Sequence, residues 1–359
     1  MSSQAANRQT NIIGIEVGRG FAAFLVLTSH YAFLFVAGSH PVDALSTGVD
    51  FFFVISGFVF APNILQKSSH TTAFYVRRFF RIYPLYVVAV MAMWLIKDSE
   101  DTGLLVKHLL FLHSSFNFYE TFSLNPAFWS LPVEIEFYIL IPVIAWFMQK
   151  YSPPLWLLIL LFLLLRNIIF ALSTPYDQAN IFTLITLHLP AIFVEFLFGL
   201  LCYKYLFIQK VTVPVLSHIV GFILSVSVMT YLACLYGKYG NAWLQSNVLI
   251  NANYNIVYAL CYSVILVNLV DLFRWLNDRG WQIFASVLGS LSYGVYLSHN
   301  FSIAVLAKTG YLTENLDGFL LAFTLTVVLS LLGYYLLENP ARNFGRHFAH
   351  KIKHKTAKK

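Results

Sequence analysis

Apolar residues arrive along this chain in runs of one length class. Ten of them begin near residues 12, 45, 79, 132, 155, 184, 214, 250, 285 and 317, broken by short polar or charged stretches. Each is close to the ~20 residues that carry an α-helix across the hydrocarbon core of a bilayer. In lipid a spanning segment must satisfy its own backbone donors and acceptors, which a helix does and an isolated strand does not. The pattern predicts an all-α integral membrane protein, a bundle of about ten transmembrane helices. No internal repeat is visible. The one long break, from about 97 to 131, holds an amphipathic piece, LLVKHLLFLH, and an aromatic-rich one, SSFNFYETFSLNPAFW. A connection of that length is more often functional than not.

Composition supports this reading and charge adds an orientation. Hydrophobic residues make up 58% of the 359 and charged ones 11%, against about 25% charged in soluble domains. Seventeen basic residues (Arg8, Lys67, Arg77, Arg78, Arg81, Lys150, Lys204, Lys210, Arg274, Arg279 and those of the C-terminal tail) fall on one side of the spans. Four, Lys97, Lys107, Lys238 and Lys308, fall on the other. Cytoplasmic loops carry the excess of Lys and Arg, so both termini are expected in the cytoplasm. The first run, too long for a signal-peptide core, reads as a retained signal anchor. One transmembrane domain is expected over 1–341, followed by a basic cytoplasmic tail over 342–359. Attraction to anionic lipid headgroups accounts for that tail, and no nucleic-acid partner is called for. Cys202, Cys234 and Cys261 lie in apolar runs and read as packing residues. No cluster has metal-ligand spacing, so no metal is expected.

The polar residues left inside the spans carry the candidate chemistry. Arg19 and His30 share the first run, and an arginine at the centre of a spanning helix costs about 2.5–3.5 kcal/mol, so it needs a partner or a polar cavity. The eleven positions between them amount to about 16 Å of rise and place them on nearly one face at two depths. Arg78 and Arg81, at i and i+3, share a face and could clamp phosphate oxygens with their guanidinium forks. Positive-inside anchoring accounts for the same pair and for Arg77. In the outer half lie Asp50, Glu134 and His299. Glu134 and Tyr138 share a face at i and i+4, whereas Glu136 points away from it. Ser292, Tyr296 and His299 form a polar stripe that would be wasted against lipid. A histidine level with a carboxylate can be a general base, a step in a proton relay, or a satisfied interhelical hydrogen bond. Arg166 and Glu195 fit a buried ion pair. Asn251 and Asn255 fit packing between helices better than sugar binding.

The series Arg19 to His30, GVDFFFVISGF at 48–58, FYVRRFFRIYPLY at 74–86, FWSLPVEIEFY at 128–138, LSYGVYLSHNF at 291–301 and ENPAR at 338–342 resembles the membrane-bound acyltransferase-3 family. That family includes bacterial O-acetyltransferases that modify lipopolysaccharide and other surface polysaccharides. The motifs recur in family order over the whole chain; one departure is Ser298, where an aromatic or aliphatic residue is common. The extra soluble domain that some members carry after the last helix is not expected here. The resemblance implies a multi-pass protein of the bacterial inner membrane, a cytoplasmic acyl-CoA donor such as acetyl-CoA, and a hydroxyl acceptor beyond the membrane. By the same resemblance Arg19 and His30 are the central pair, Arg78 and Arg81 the paired arginines, and Glu134 the family's glutamate. His299 and Glu338 match recurring positions.

The resulting expectation is a membrane O-acyltransferase, acetyl first among acyl groups, acting on a carbohydrate or glycolipid. His30 would deprotonate the acceptor hydroxyl or carry the acyl group itself, with Glu134 or Asp50 orienting it. Arg19 would lie along the donor path and Arg78 and Arg81 would hold CoA phosphates. Tyr138, Tyr296 and His299 would stand behind these or touch acceptor. The rivals are a transferase acting on an antibiotic or other small hydroxylated metabolite, a proton-coupled transporter, and a scaffold without catalysis.

Overall fold

The computed structural model describes residues 2–35, 40–66, 71–173, 180–276 and 279–356; Lys67, Lys358 and Lys359 lie outside them. The elements are α1 (Ser2–Tyr31), α2 (Gly48–Leu65), α3 (Thr71–Ile96), α4 (Thr102–Leu109), α5 (Phe118–Ser123), α6 (Ser130–Tyr151), α7 (Leu155–Leu172), α8 (Ile181–Ile185), α9 (Leu189–Tyr203), α10 (Val215–Gln245), α11 (Val248–Leu276), α12 (Arg279–Thr309), α13 (Leu316–Gly333) and α14 (Asn339–Thr356). No strand forms among the described residues, and nine segments are long and apolar enough to cross a membrane. The run expected near 285 lies in α12. That helix is long enough, but Ser290, Ser292, Ser298, His299 and Asn300 lower its hydropathy and it is not one of the nine. α3 begins well before the apolar run counted from near 79, because Arg77, Arg78 and Arg81 interrupt the hydropathy of its first turns without breaking its helix.

The chain forms two compact units, Met1–Ala61 with Pro153–Ser292, and Pro62–Ser152 with Tyr293–Lys359. In the first, α11 packs against α1, α7, α9 and α10. α2 and α9 cross at two glycines: a Cβ on Gly57 would meet the Phe196 backbone, and one on Gly199 the Val54 carbonyl. Small residues of this kind let helix backbones approach in lipid, where hydrophobic driving force between helices is absent. The short helical turns of Pro41–Thr47 lie against α1 and α10, and Thr47 Oγ1 meets the Tyr262 hydroxyl at 3.1 Å.

In the second unit α14 continues from α13 through a wide π-type turn, Tyr334–Glu338, and lies along α3. Phe344 meets Phe80 edge to face at 5.1 Å, so the basic C-terminal segment is a docked helix as far as residue 356. The connection between the third and fourth spans folds as well. Asp101 and Asn117 cap α4 and α5 through their side chains, as short polar residues do at helix starts. The amphipathic piece becomes α4, with Leu104 and His108 buried.

His108 and His113 stack there at 4.1 Å, both fully buried. Burial, the larger cause, pushes the His108 pKa down from 6.5 to about 4, against the Leu104 carbonyl that favours its protonated form. The unfolded chain therefore binds a proton on the way down from pH 6.5 that the folded chain refuses until about pH 4. Stability should fall across that window, by roughly 3 kcal/mol at most, and be level above it. Melting of the purified protein at pH 7 and pH 5 should show the drop, and His108→Gln should flatten it. Equal slopes in the two proteins would assign the acid sensitivity elsewhere.

Candidate active site

α1 carries both intramembrane polar residues of the first span on one unbroken helix. Arg19 finds its partner a turn earlier: its Nη1 lies 3.3 Å from Glu16 Oε1, both side chains largely buried. Glu16 has room because Gly289 of α12 stands beside it, where a Cβ would collide with the glutamate side chain. A turn along α1, a Cβ on Gly20 would meet Leu288 at 2.8 Å. His30 sits in the last turn of α1, half-buried, with Nδ1 2.9 Å from the Val26 carbonyl. A carbonyl only accepts, so Nδ1 carries the proton in this contact and Nε2 is the basic nitrogen of the neutral ring.

Asp50, 2% exposed, is held elsewhere in the same unit. Asn255 Nδ2 donates to both its oxygens at 3.0 and 3.1 Å, and it shares a hydrogen bond with Glu195. Glu195 Oε1 in turn lies 3.5 Å from Arg166 Nη1. Arg166 Nε and Nη1 donate to the carbonyls of Ala252 and Ala191 at 2.5 and 2.7 Å, and its guanidinium rests over Phe170 at 4.9 Å. One buried polar knot thus ties α2, α7, α9 and α11 together. The expected Arg166 and Glu195 pair is part of it, and so is Asn255, in a packing role. Asp50 accepts from these groups, and no hydrogen bond to His30 is among its contacts in the described residues.

The second unit gathers the other predicted residues. The Tyr138 hydroxyl donates to Glu134 Oε1 one turn away on α6. Arg78 and Arg81 bear electrostatically on the same phenol, and the Arg78 guanidinium lies over Phe74 at 5.9 Å. The start of α3 at Thr71 puts this pair about two to three turns inside the helix. Tyr293, which sequence reasoning did not single out, donates to the Ile82 carbonyl at 2.9 Å and lies in the field of both Glu134 and Glu338. Glu338 is buried and paired with Arg342 at 3.3 Å. Tyr296 and His299 are buried, as their stripe required. The Tyr296 hydroxyl meets Ser130 Oγ at 2.6 Å and donates to the Ala127 carbonyl at 2.5 Å, which fastens α12 to the start of α6. His299 Nδ1 donates to the Val295 carbonyl at 3.1 Å, and Ser292 bonds the Gly289 carbonyl.

Besides Tyr293, two residues of consequence escaped the sequence pattern. Glu16 was legible in principle, three positions before Arg19, but Gly289 becomes meaningful only when the helices are brought together. A cavity of about 990 Å³ between α10 and α11, lined mostly by apolar side chains with His218, Asn268, Asp271 and Arg274 at its polar end, holds none of the predicted residues.

A helical membrane bundle with a histidine and paired arginines on its spans defines a class of protein, and comparison with known proteins fixes which. A model of the acyltransferase-3 family, described as an acyltransferase domain, matches residues 12–335, and the chain belongs to that family. A protein of Staphylococcus aureus (strain COL) named "Putative O-acetyltransferase" is 34% identical over 119 residues, 27% of this chain and 19% of that one. The chain therefore matches about a fifth of the length of the staphylococcal relatives. A "Putative acetyltransferase" of Acidianus two-tailed virus is 26% identical over 300 residues, 82% of this chain and 84% of that one. An uncharacterized protein of Aquifex aeolicus (strain VF5) is 26% identical over 216 residues, 60% and 86% of the two chains. No solved structure matches the chain.

Proposed function

We propose that this protein is a membrane O-acetyltransferase that moves an acetyl group from acetyl-CoA on the cytoplasmic side to a hydroxyl of a surface carbohydrate or glycolipid. The observation that carries the reading is the pair on α1: a histidine whose Nδ1 is tied to a backbone carbonyl, with an arginine about three turns below it. In the reaction His30 Nε2 takes the acceptor's hydroxyl proton while that oxygen attacks the thioester carbonyl. The carbon–sulfur bond breaks, and CoA leaves as the thiol once the sulfur is protonated. Arg19, steadied by Glu16, lies along the donor path. Arg78 and Arg81 hold phosphates of the donor, because paired guanidinium forks match phosphate oxygens. Glu134 and Tyr138 act beside that arginine pair. Asp50 keeps the helix bundle in register through Asn255 and Glu195. The seventeen-to-four basic asymmetry supports an inner-membrane protein with both termini in the cytoplasm.

Purified protein given acetyl-CoA and a glycan acceptor should release one free thiol for each ester formed, and surface glycans should lose an acetyl mass when the gene is deleted. Proton-coupled transport without thiol release would sink the proposal. Within it, Arg78→Ala or Arg81→Ala should weaken acetyl-CoA binding about ten- to a hundredfold, the worth of one charge-assisted contact. Isothermal titration on folded variants checks this, and unchanged affinity would return the arginines to anchoring.

A further inference from the structure

A second, smaller cavity of about 230 Å³ lies where the start of α3 meets the end of α6, inside the unit that holds Arg78 and Arg81. None of the predicted site residues lines it. Its aromatic wall is Phe74, buried, and Trp146, 57% exposed. Its polar wall includes Thr71, Asn63 and Gln149. The Gln149 amide is fixed by its own donors: Nε2 gives to the carbonyls of Ile64 and Gln66 at 3.2 and 3.1 Å, where α2 ends. With both N–H groups so directed, Oε1 is the atom left to accept a hydrogen bond from a ligand. A cation stands against each of its two aromatic rings. Lys150 Nζ lies 4.9 Å from the centre of the Trp146 ring, and the Arg78 guanidinium stands over Phe74. Arg81 follows one helical turn beyond Arg78.

Flat rings, a fixed amide acceptor and a cation at each ring call for a flat heteroaromatic ring with an exocyclic amine and more than one phosphate group. We propose that this cavity binds the adenine ring of a 3′-phosphorylated adenine nucleotide, the nucleotide half of the acyl-CoA donor. The inference rests on the donor named under the proposed function. The ring lies against Phe74 and Trp146 and gives its amino hydrogen to Gln149 Oε1. Lys150 takes the ribose 3′-phosphate, and the diphosphate runs along α3 to Arg78 and Arg81. The thioester end then points deeper into the helix bundle. Aromatic side chains and amides at a membrane-facing helix end would otherwise be interfacial anchors, which hold no ligand.

The full-length protein in lipid nanodiscs, titrated calorimetrically with adenosine 3′,5′-bisphosphate, acetyl-CoA and S-acetyl-4′-phosphopantetheine, tests this. Trp146→Ala should lose about tenfold or more in affinity for the bisphosphate and for acetyl-CoA, since one aromatic stack is worth about 1–3 kcal/mol. Trp146→Phe should restore most of it. Ala145→Trp, which fills the cavity from its own lining, should abolish bisphosphate binding. All three variants should bind the phosphopantetheine as the wild type does, and the two Trp146 variants should keep its melting temperature, because Trp146 is largely exposed. Bisphosphate binding unchanged in both Trp146→Ala and Ala145→Trp overturns the pocket, and so does a wild type that binds no bisphosphate. If the wild type still binds acetyl-CoA in those cases, the donor reading stands alone; if it binds none of the three compounds, that reading falls as well.

Discussion

Replacing His30 by glutamine should stop acyl transfer while leaving acetyl-CoA binding as it is. Glutamine keeps much of the side-chain volume and an N–H that can reach the Val26 carbonyl, now bonded by Nδ1 at 2.9 Å. What it lacks is a nitrogen able to take a proton at neutral pH. Loss of a general base removes about 10²–10⁴ in rate. The donor contacts assigned to Arg78 and Arg81 are untouched by this change, so turnover should fall with donor affinity unchanged. Ester formation followed by mass spectrometry, beside calorimetric acetyl-CoA titration, separates the two quantities. A glutamine variant that acylates at near wild-type rate would make His30 a structural residue, and the base would then be sought at His299 or Glu134.

Arg166→Leu should strongly destabilise the fold. It removes the cation from a knot that holds two buried carboxylates, Asp50 and Glu195, and it leaves the carbonyls of Ala191 and Ala252 without their donors. Breaking a buried ion pair from one side costs about 3–5 kcal/mol, because the remaining charge stays desolvated and uncompensated. Thermal unfolding in detergent should show a large drop in melting temperature. Adding Glu195→Gln should recover part of it, since the stranded charge is then gone. A single variant that melts with the wild type would mean that the knot exchanges with water or lipid headgroups and carries little of the fold.

Individual elements show how far the residues alone could be read. The apolar runs near 155, 214 and 317 begin within a few residues of α7, α10 and α13, because no cluster of charges like the three arginines of α3 masks their starts. The run near 79 begins late by comparison with α3, since three arginines mask helix that is amphipathic at its start. Glu134 with Tyr138 on one face followed from helical spacing and is realised as a hydrogen bond. The place of Asp50 on the second span was also readable, but its partners were not. Asn255 and Glu195 lie far away in sequence, and no local rule pairs them with it.

Local and additive physics is therefore what the amino-acid sequence determined: an all-α membrane protein, the approximate number of spans, the facial pairing of residues three and four apart, and, through its spaced motifs, its family. Each of these depends on transfer free energy summed over a window or on the fixed geometry of one helix. The tertiary structure decided which helices touch and what that contact does to a side chain. It set Glu16 beside Gly289, drew Asp50 into a knot with Arg166, and docked the basic α14 along α3. It also opened a polar cavity at the junction of α3 and α6, whose lining comes from residues that no sequence window contains together. Such arrangements depend on close approach between distant segments, where one missing Cβ or one buried charge outweighs any average over the chain.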